Sequence, residues 1–210
     1  MAEFLRRDSD IARRWWLSMD TETVKVGDRY QAWQISLVDQ DTGEEVMNEF
    51  LTHDCKGDCS CARAGRRMTG RIGPQELIEK LEAKGITGES TRFIAWATGD
   101  HDCAVMRDFF GGANFPSCFE KDRLLLPYHE FRRNLPKSFP LRLGEVFEML
   151  FPDDPLYYQW HDALADAQMQ RKIIQAFEPA QKAGQAGREG RARLRVLIQG
   201  RESTIGRHLV

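Results

Sequence analysis

The sequence has no apolar run that approaches the roughly 20 residues a membrane-spanning helix requires. Its N-terminal segment, 1–14, is charged and lacks the apolar stretch of a signal peptide. Cysteine is scarce as well, and five cysteines are an odd number that does not suggest a set of paired disulfides. We therefore predict an intracellular protein, in the cytoplasm or the nucleus, that does not act at a membrane.

The sequence also lacks an excess of positive charge. Its 30 Lys and Arg residues are balanced by 32 Asp and Glu residues, which gives a formal net charge of −2. No global positive field therefore marks it as a nucleic-acid-binding protein. A metal-dependent nuclease is not excluded, because bound cations can meet the phosphates instead.

Basic residues are nevertheless concentrated near the C-terminus. The segment 182–210 contains seven Lys and Arg residues and two Glu residues, and the Gly- and Ala-containing stretch 183–187 is typical of a linker. We predict that residues 1–180 form one domain and that residues 181–210 form a basic, flexible tail. The tail either touches a phosphate backbone or is simply solvated.

What the sequence does contain predicts an α/β domain. Hydrophobic residues make up 41% of the chain, and five Trp and twelve Phe residues argue against disorder. Alternation and apolar runs predict a three-strand N-terminal meander, followed by segments of helix and strand. The predicted strands are Trp15–Met19, Tyr30–Val38, Glu44–Thr52, Arg92–Ala97 and Arg123–Leu126, and the predicted helices are Pro74–Lys84, Asp102–Phe110, Leu143–Phe151 and Leu164–Phe177.

Two carboxylates follow the first predicted strand directly. Asp20 and Glu22 are two residues apart, and residues at that spacing on a strand face the same side. A carboxylate at the edge of a buried strand is costly unless a cation or a hydrogen-bond donor meets it. The pair therefore predicts metal ligands, and the competing interpretation is two ordinary surface acids.

A third acidic position follows the predicted strand Arg92–Ala97. Asp102 precedes apolar residues at helical spacing, and Asp100 or His101 is suited to cap that helix. One Asp can cap a helix while another binds a metal. We expect Asp102 to be the ligand and Asp100 the cap, and the reverse assignment stays open.

The last candidate pair lies at the start of the final predicted helix. His161 comes just before the helix and Asp166 lies within its first turns, so both side chains can lean toward one cleft. Histidine changes its charge near neutral pH, which suits a general base. The competing interpretation is a helix-capping His-Asp pair and an ordinary surface Asp.

Taken together and in this order, these residues give the chain a family resemblance. The sequence resembles the DEDDh group of 3′-to-5′ exonucleases, which have the DnaQ-like, ribonuclease H-like fold, over roughly Trp15 to Phe177. The third acid departs from the family pattern His-Asn-x-x-Phe-Asp. The matching stretches are Asp20-Thr21-Glu22-Thr23, Gln34-Ile35-Ser36 and His161 followed by Ala163-Leu164-Ala165-Asp166-Ala167, and the departing stretch is Thr98-Gly99-Asp100-His101-Asp102.

The resemblance implies an α/β fold with a mixed central sheet flanked by helices, over a domain of residues 1–180. It implies removal of nucleotides from the 3′ end of single-stranded nucleic acid, with RNA slightly favoured over DNA. Two Mg²⁺ or Mn²⁺ ions would be held by four carboxylates, since hard cations prefer oxygen ligands. The implied ligands are Asp20, Glu22, Asp102 and Asp166, with His161 as the general base.

Other residues are candidates for binding the substrate. Thr23 is expected to help position the 3′-terminal nucleotide. Trp160, just before His161, is suited to stack on a base, as aromatic side chains do in proteins that bind single strands. The alternative function is a nucleic-acid-binding protein that keeps the exonuclease fold without catalysis, or one directed by a partner.

A cysteine-rich loop lies outside the family pattern. His53, Cys55, Cys59 and Cys61 offer the four nitrogen and sulfur ligands of a structural zinc site, although their spacing is not a common one. Free thiols are the competing interpretation. The loop and the basic tail are also the two candidate docking surfaces for a protein partner.

Overall fold

The computed structural model describes residues 15–55, 70–97, 99–112, 115–134, 142–159 and 161–177. Its strands are β1 (Trp15–Val26), β2 (Arg29–Asp39), β3 (Glu45–Phe50), β4 (Thr91–Ile94) and β5 (Leu124–Leu125). Its α-helices are α1 (Pro74–Ala83), α2 (His101–Phe109), α3 (Pro127–Asn134), α4 (Leu143–Leu150) and α5 (Ala163–Phe177). Short 3₁₀ turns cover Ser117–Phe119, Lys121–Arg123 and Pro155–Gln159.

The five strands form one mixed sheet in the order β3-β2-β1-β4-β5. The β1–β2 and β2–β3 pairs are antiparallel, whereas β1–β4 and β4–β5 are parallel. A hairpin with a left-handed glycine, Gly27, joins β1 to β2, where a non-glycine residue would be strained. The predicted three-strand meander and mixed sheet flanked by helices are confirmed, and the fold is of the ribonuclease H-like kind.

Strand β1 is longer than the sequence pattern predicted. The expected end at Asp20 is wrong, because the ladder with β2 continues to the Val26–Arg29 pair. Its parallel ladder with β4, in contrast, stops at the Ser18–Ile94 pair. The β-branched residues after Asp20 suit a strand. Asp20 and Glu22 therefore lie in mid-strand, immediately beyond the point where β4 leaves the sheet.

The ladder between β1 and β2 is irregular just after Glu22. Glu22 pairs with Gln34 but Thr23 pairs with Ala32, so Trp33 is the extra residue of a β-bulge. Trp33 is buried and stacks on Phe50, with ring centroids 6.1 Å apart. Bulges bend a strand and redirect its side chains, and this one lies directly beside the acidic pair.

Alternation along β1 separates an apolar and a polar face of the sheet. Leu17 and Met19 belong to the main core, together with buried residues of α1 and α2. Ser18, between them, donates a hydrogen bond of 2.7 Å to Gln40, whose amide lies 3.4 Å from the Arg171 carbonyl in α5. Helix α5 thus rests on the polar face, and a second apolar cluster joins α5 to α4.

Buried side-chain amides attach α5 to the sheet. Gln170 donates to the Ile94 carbonyl at 2.6 Å, and Gln175 and Arg171 donate to the Gln40 carbonyl at 3.3 and 3.1 Å. Gln34 lies near the start of the helix, with its side-chain oxygen 3.5 Å from the Ala163 nitrogen. Because Gln34 is the ladder partner of Glu22, α5 begins beside the acidic pair.

The predicted helices are present within one or two residues of their expected ends, and the predicted strand Arg92–Ala97 is shorter, ending at Ile94. Helix α3 and the 3₁₀ turn Pro155–Gln159 were not predicted. Of the helices in the described ranges, none combines the length and the hydropathy that a bilayer crossing demands.

Candidate active site

Asp20 lies at the centre of a group of carboxylates. Burial raises its pKa well above the usual value, and the negative charges of Asp102, Asp166 and Glu22 raise it further. These four side chains come from β1, α2 and α5, which are far apart in sequence. The structure therefore brings together the four carboxylates that the sequence pattern singled out.

Of Asp100 and Asp102, it is Asp102, in the first turn of α2, that joins this group of carboxylates. It is 8% exposed and accepts a hydrogen bond of 2.6 Å from the Thr21 hydroxyl. Burial raises the pKa of Asp102, and the Thr21 hydrogen bond opposes that rise. Asp100 occupies the N-cap position, as predicted, but its side chain makes no capping bond and pairs with Arg107 at 3.1 Å.

The segment before α5 shows how His161 and Asp166 are arranged. Asp162 caps the helix, with Oδ1 accepting from the Leu164 and Ala165 amides at 2.9 and 3.4 Å. His161 adopts a left-handed backbone, φ +63°, and its amide donates to Asp166 Oδ2 at 3.2 Å. Asp162 alone therefore provides the capping side chain, which leaves the exposed His161 ring and Asp166 to the site.

The chemistry of the carboxylates fits a bound cation. Asp166 Oδ1 is buried, and within the described part of the chain it has no hydrogen-bond partner. Burial raises the pKa of Asp166 to about 7; the His161 amide opposes the rise and the charge of Asp162 adds to it. Ligand atoms of Glu22, His161 and Asp166 lie within 4.8 Å of one another. Buried negative charge without a partner is what divalent cations with oxygen ligands neutralise.

A cleft of about 680 Å³ opens beside these residues. Asp20, His161 and Asp166 line one end of it, and the rest of the wall is largely apolar and aromatic. A charged end and an apolar wall suit a ligand with a phosphate and a planar ring. The wall residues are Trp96 after β4, Tyr128 in α3, Leu143, Gly144 and Glu145 in α4, Arg142 and Ala97 beside these elements, and Tyr157 in the 3₁₀ turn.

The predicted roles of Thr23 and Trp160 in substrate binding both stay predictions. Thr23 is half-buried directly after the β-bulge and is not among the described residues that line the cleft. Trp160 lies outside the described residues, so its predicted stacking role stays a prediction.

The predicted zinc loop is only partly described. His53 and Cys55 are half-buried, and the Cys55 amide donates to His53 Nδ1 at 3.2 Å. Burial, and next the charge of Arg71, lower the pKa of His53. Cys59, Cys61 and the tail 181–210 lie outside the described residues, so the zinc site and the flexible tail stay predictions.

Sequence reasoning missed some residues of the site. Tyr128 enters the cleft from α3, whose signal in the sequence was Pro127, a residue favoured in the first turn of a helix. Asp162 appeared in the sequence analysis only as part of a competing helix-capping pair, and the structure shows that it does cap α5. Leu143 was assigned to an amphipathic helix, but the pattern did not show that the helix borders a cleft.

No family model matches the chain, and no curated protein matches its sequence. Among the solved structures that share its fold are two of Pan2. The Neurospora crassa Pan2 catalytic unit, with a protease and a nuclease domain, has a TM-score of 0.56 and 13% identity, and the match covers 97% of this chain and 31% of that one. The Saccharomyces cerevisiae Pan2 pseudoubiquitin hydrolase–RNA exonuclease module, in complex with AAGGAA RNA, has a TM-score of 0.57 and 11% identity, covering 95% and 34%. This chain therefore spans about one third of the length of these two chains.

Proposed function

We propose that this chain is a metal-dependent 3′-to-5′ exonuclease of the DEDDh type that acts on single-stranded nucleic acid, with RNA favoured over DNA. The observation that carries the proposal is the meeting of four carboxylates and a histidine beside an aromatic-lined cleft, which Asp20, His161 and Asp166 help to line. Two further facts support it: the family resemblance covers the same residues, and the shared fold occurs in a module named as an RNA exonuclease.

In this proposal each acidic residue holds divalent cations, and Asp20 is central because the other three carboxylates surround it. Asp102 is kept in place by the Thr21 hydroxyl, and Asp166 presents its buried Oδ1 as a ligand atom. A bound pair of Mg²⁺ or Mn²⁺ ions supplies the positive charge that activates water and stabilises the leaving 3′ oxygen.

His161 acts as the general base in the proposed reaction. Its ring lies at the exposed mouth of the acidic group, where an attacking water has access. The Asp162 cap and the bond from the His161 amide to Asp166 fix the backbone from which the ring projects. A positioned base contributes roughly 10²- to 10⁴-fold to a reaction rate.

The direct test uses matched RNA and DNA oligonucleotides, each labelled at the 5′ end, with Mg²⁺, Mn²⁺ or a chelator. We expect a ladder of products shortened one nucleotide at a time from the 3′ end, formed only with metal and faster on RNA. Internal cuts would indicate an endonuclease. Binding without any cleavage in either metal would support the non-catalytic alternative.

The His161→Asn variant should lower kcat by about 10²-fold or more and change KM much less, because it removes the base and keeps the aromatic wall of the cleft. Asn tolerates a left-handed backbone better than most residues, so the local fold should persist. Single-turnover cleavage by both proteins measures the loss. A variant with nearly full activity would show that another group takes the proton.

The aromatic wall is expected to hold the base of the terminal nucleotide. A hydrogen bond with Glu148 raises the pKa of the Tyr157 hydroxyl and orients its ring beside the cleft. Tyr157→Ala should raise KM by about tenfold, since stacking of a base on an aromatic ring contributes 1–3 kcal/mol. The matched control is Tyr158→Ala, since Tyr158 is 79% exposed and does not line the cleft. Equal effects of the two variants would contradict a stacking role for Tyr157.

A further inference from the structure

Three ligand atoms in the acidic group form a set that includes nitrogen. Glu22, His161 and Asp166 each offer one atom, and these atoms lie within 4.8 Å of one another. This trio differs from the four-carboxylate set of the proposed reaction, which contains only oxygen. One cluster therefore presents two overlapping ligand sets that share Glu22 and Asp166.

The two sets suit different cations. Mg²⁺ selects oxygen ligands, whereas imidazole is a good ligand for zinc and for the later first-row metals. Zinc bonds to histidine nitrogen and to carboxylate oxygen are both about 2.1 Å long, so tetrahedral ligand atoms lie roughly 3.4 Å apart. Bringing atoms together from at most 4.8 Å requires a small rotation of side chains, and the His161 side chain is exposed enough to turn.

One observation besides the spacing of the three ligand atoms points to a cation at this trio. The buried Oδ1 of Asp166 has no hydrogen-bond partner among the described residues. The backbone of His161 is left-handed and its amide donates to Asp166 Oδ2, so the two residues are held beside each other and their ligand atoms lie within 4.8 Å. A strained backbone at a residue of a functional site is retained when the surroundings over-determine it.

We propose that a borderline cation such as Zn²⁺ binds to Glu22, His161 and Asp166 and inhibits the enzyme. Coordination occupies the lone pair with which His161 accepts a proton, and the same ion competes with Mg²⁺ and Mn²⁺ for the two carboxylates. Zinc binding does not depend on the proposed nuclease activity. Inhibition does, because it presupposes that the protein is a nuclease.

The test measures competition between metals in the absence of nucleic acid. Metal-free protein is loaded with Mn²⁺, bound Mn²⁺ is followed by electron paramagnetic resonance, and Zn²⁺ is titrated in. Zinc held by the cysteine-rich loop would not displace Mn²⁺, so the signal reports the acidic group alone. Removing even an outer partner of a metal ligand costs 10- to 100-fold in affinity, so loss of a ligand should cost at least about tenfold.

We therefore expect His161→Asn to leave Mn²⁺ binding unchanged within about twofold and to weaken displacement by Zn²⁺ by at least about tenfold. His129→Asn, at an exposed histidine of α3, is the matched control and should displace Mn²⁺ like the wild type. A Co²⁺-loaded wild-type protein should also show a visible absorption band that shifts in His161→Asn.

Equal zinc displacement in the wild type and His161→Asn would overturn the proposal. This metal-competition experiment tests the zinc site whether or not the protein cleaves RNA. Conversely, a protein that never cleaves any oligonucleotide but shows the tenfold, His161-dependent difference would refute the proposed function and leave the zinc site standing.

Discussion

Replacing Asp166 by Asn is expected to reduce metal-dependent removal of 3′ nucleotides by at least about 10³-fold. In the proposed reaction the bound metal ions stabilise the charged transition state by several kcal/mol, and loss of a ligand removes much of that contribution. The substitution keeps the shape of the side chain and an oxygen that accepts the His161 amide. It removes the negative charge and the buried ligand atom Oδ1. Asp20→Asn should have an equal or larger effect, since Asp20 is surrounded by the other carboxylates.

The matched control for this experiment is Asp122→Asn. The Asp122 side chain is 69% exposed, and its ion pair with Arg123 is long, at 3.7 Å. The control should cleave a 5′-labelled oligonucleotide at the wild-type rate, and circular dichroism should show all three proteins folded. Full activity in either Asp20→Asn or Asp166→Asn would remove the acidic group from the mechanism.

The same Asp166→Asn change should make the metal-free protein more stable at pH 8. The pKa of Asp166 is about 7 in the folded state and 3.8 for the ordinary group, so the folded state binds this proton more tightly than the unfolded state. Stability is therefore lost as pH rises from about 4 through 7. The wild type pays a penalty on the order of 2–4 kcal/mol at pH 8, which the neutral amide avoids.

Thermal unfolding with a chelator, at pH 5 and at pH 8, measures this effect. At pH 8 the variant should unfold on the order of 5 °C or more above the wild type, and at pH 5 the difference should shrink. Adding Mg²⁺ at pH 8 should raise the wild-type midpoint by mass action and leave the variant nearly unchanged. A variant that is less stable than the wild type at pH 8 would contradict a cost of burying the Asp166 charge.

The sequence was sufficient to predict most of the fold, because the apolar patterns of the main elements are strong. Runs such as Trp15–Met19 and Leu143–Phe151 indicated buried segments, and the strand period placed Asp20 and Glu22 on one face. The length of β1 was not predictable from that pattern. Its second half is polar, and it is a strand because β2 supplies a complete ladder of hydrogen bonds to Val26.

The sequence was sufficient to predict which acidic residues and which histidine form the candidate site. It was not sufficient to predict the cleft beside them. The choice between Asp100 and Asp102 depended on Thr21 of β1, which is 81 residues away from Asp102 in sequence and donates a hydrogen bond to it in the folded protein. The aromatic wall depended in part on α3, an eight-residue helix composed mostly of polar residues, which the sequence analysis did not predict. Tertiary contacts decide both features, and no local pattern contains them.

The buried side-chain amides of α5 hold this helix on the sheet although several negative charges lie close together near Asp20. An interface of apolar side chains resists separation but offers little resistance to sliding along its length. Gln170 and Arg171 donate hydrogen bonds to the individual carbonyl oxygens of Ile94 and Gln40. These directional bonds fix the position of α5 along its own axis. These bonds lie little more than one helical turn beyond Asp166, so they oppose the repulsion between carboxylates at the start of α5. We therefore expect the carboxylates to stay close together in the absence of a cation.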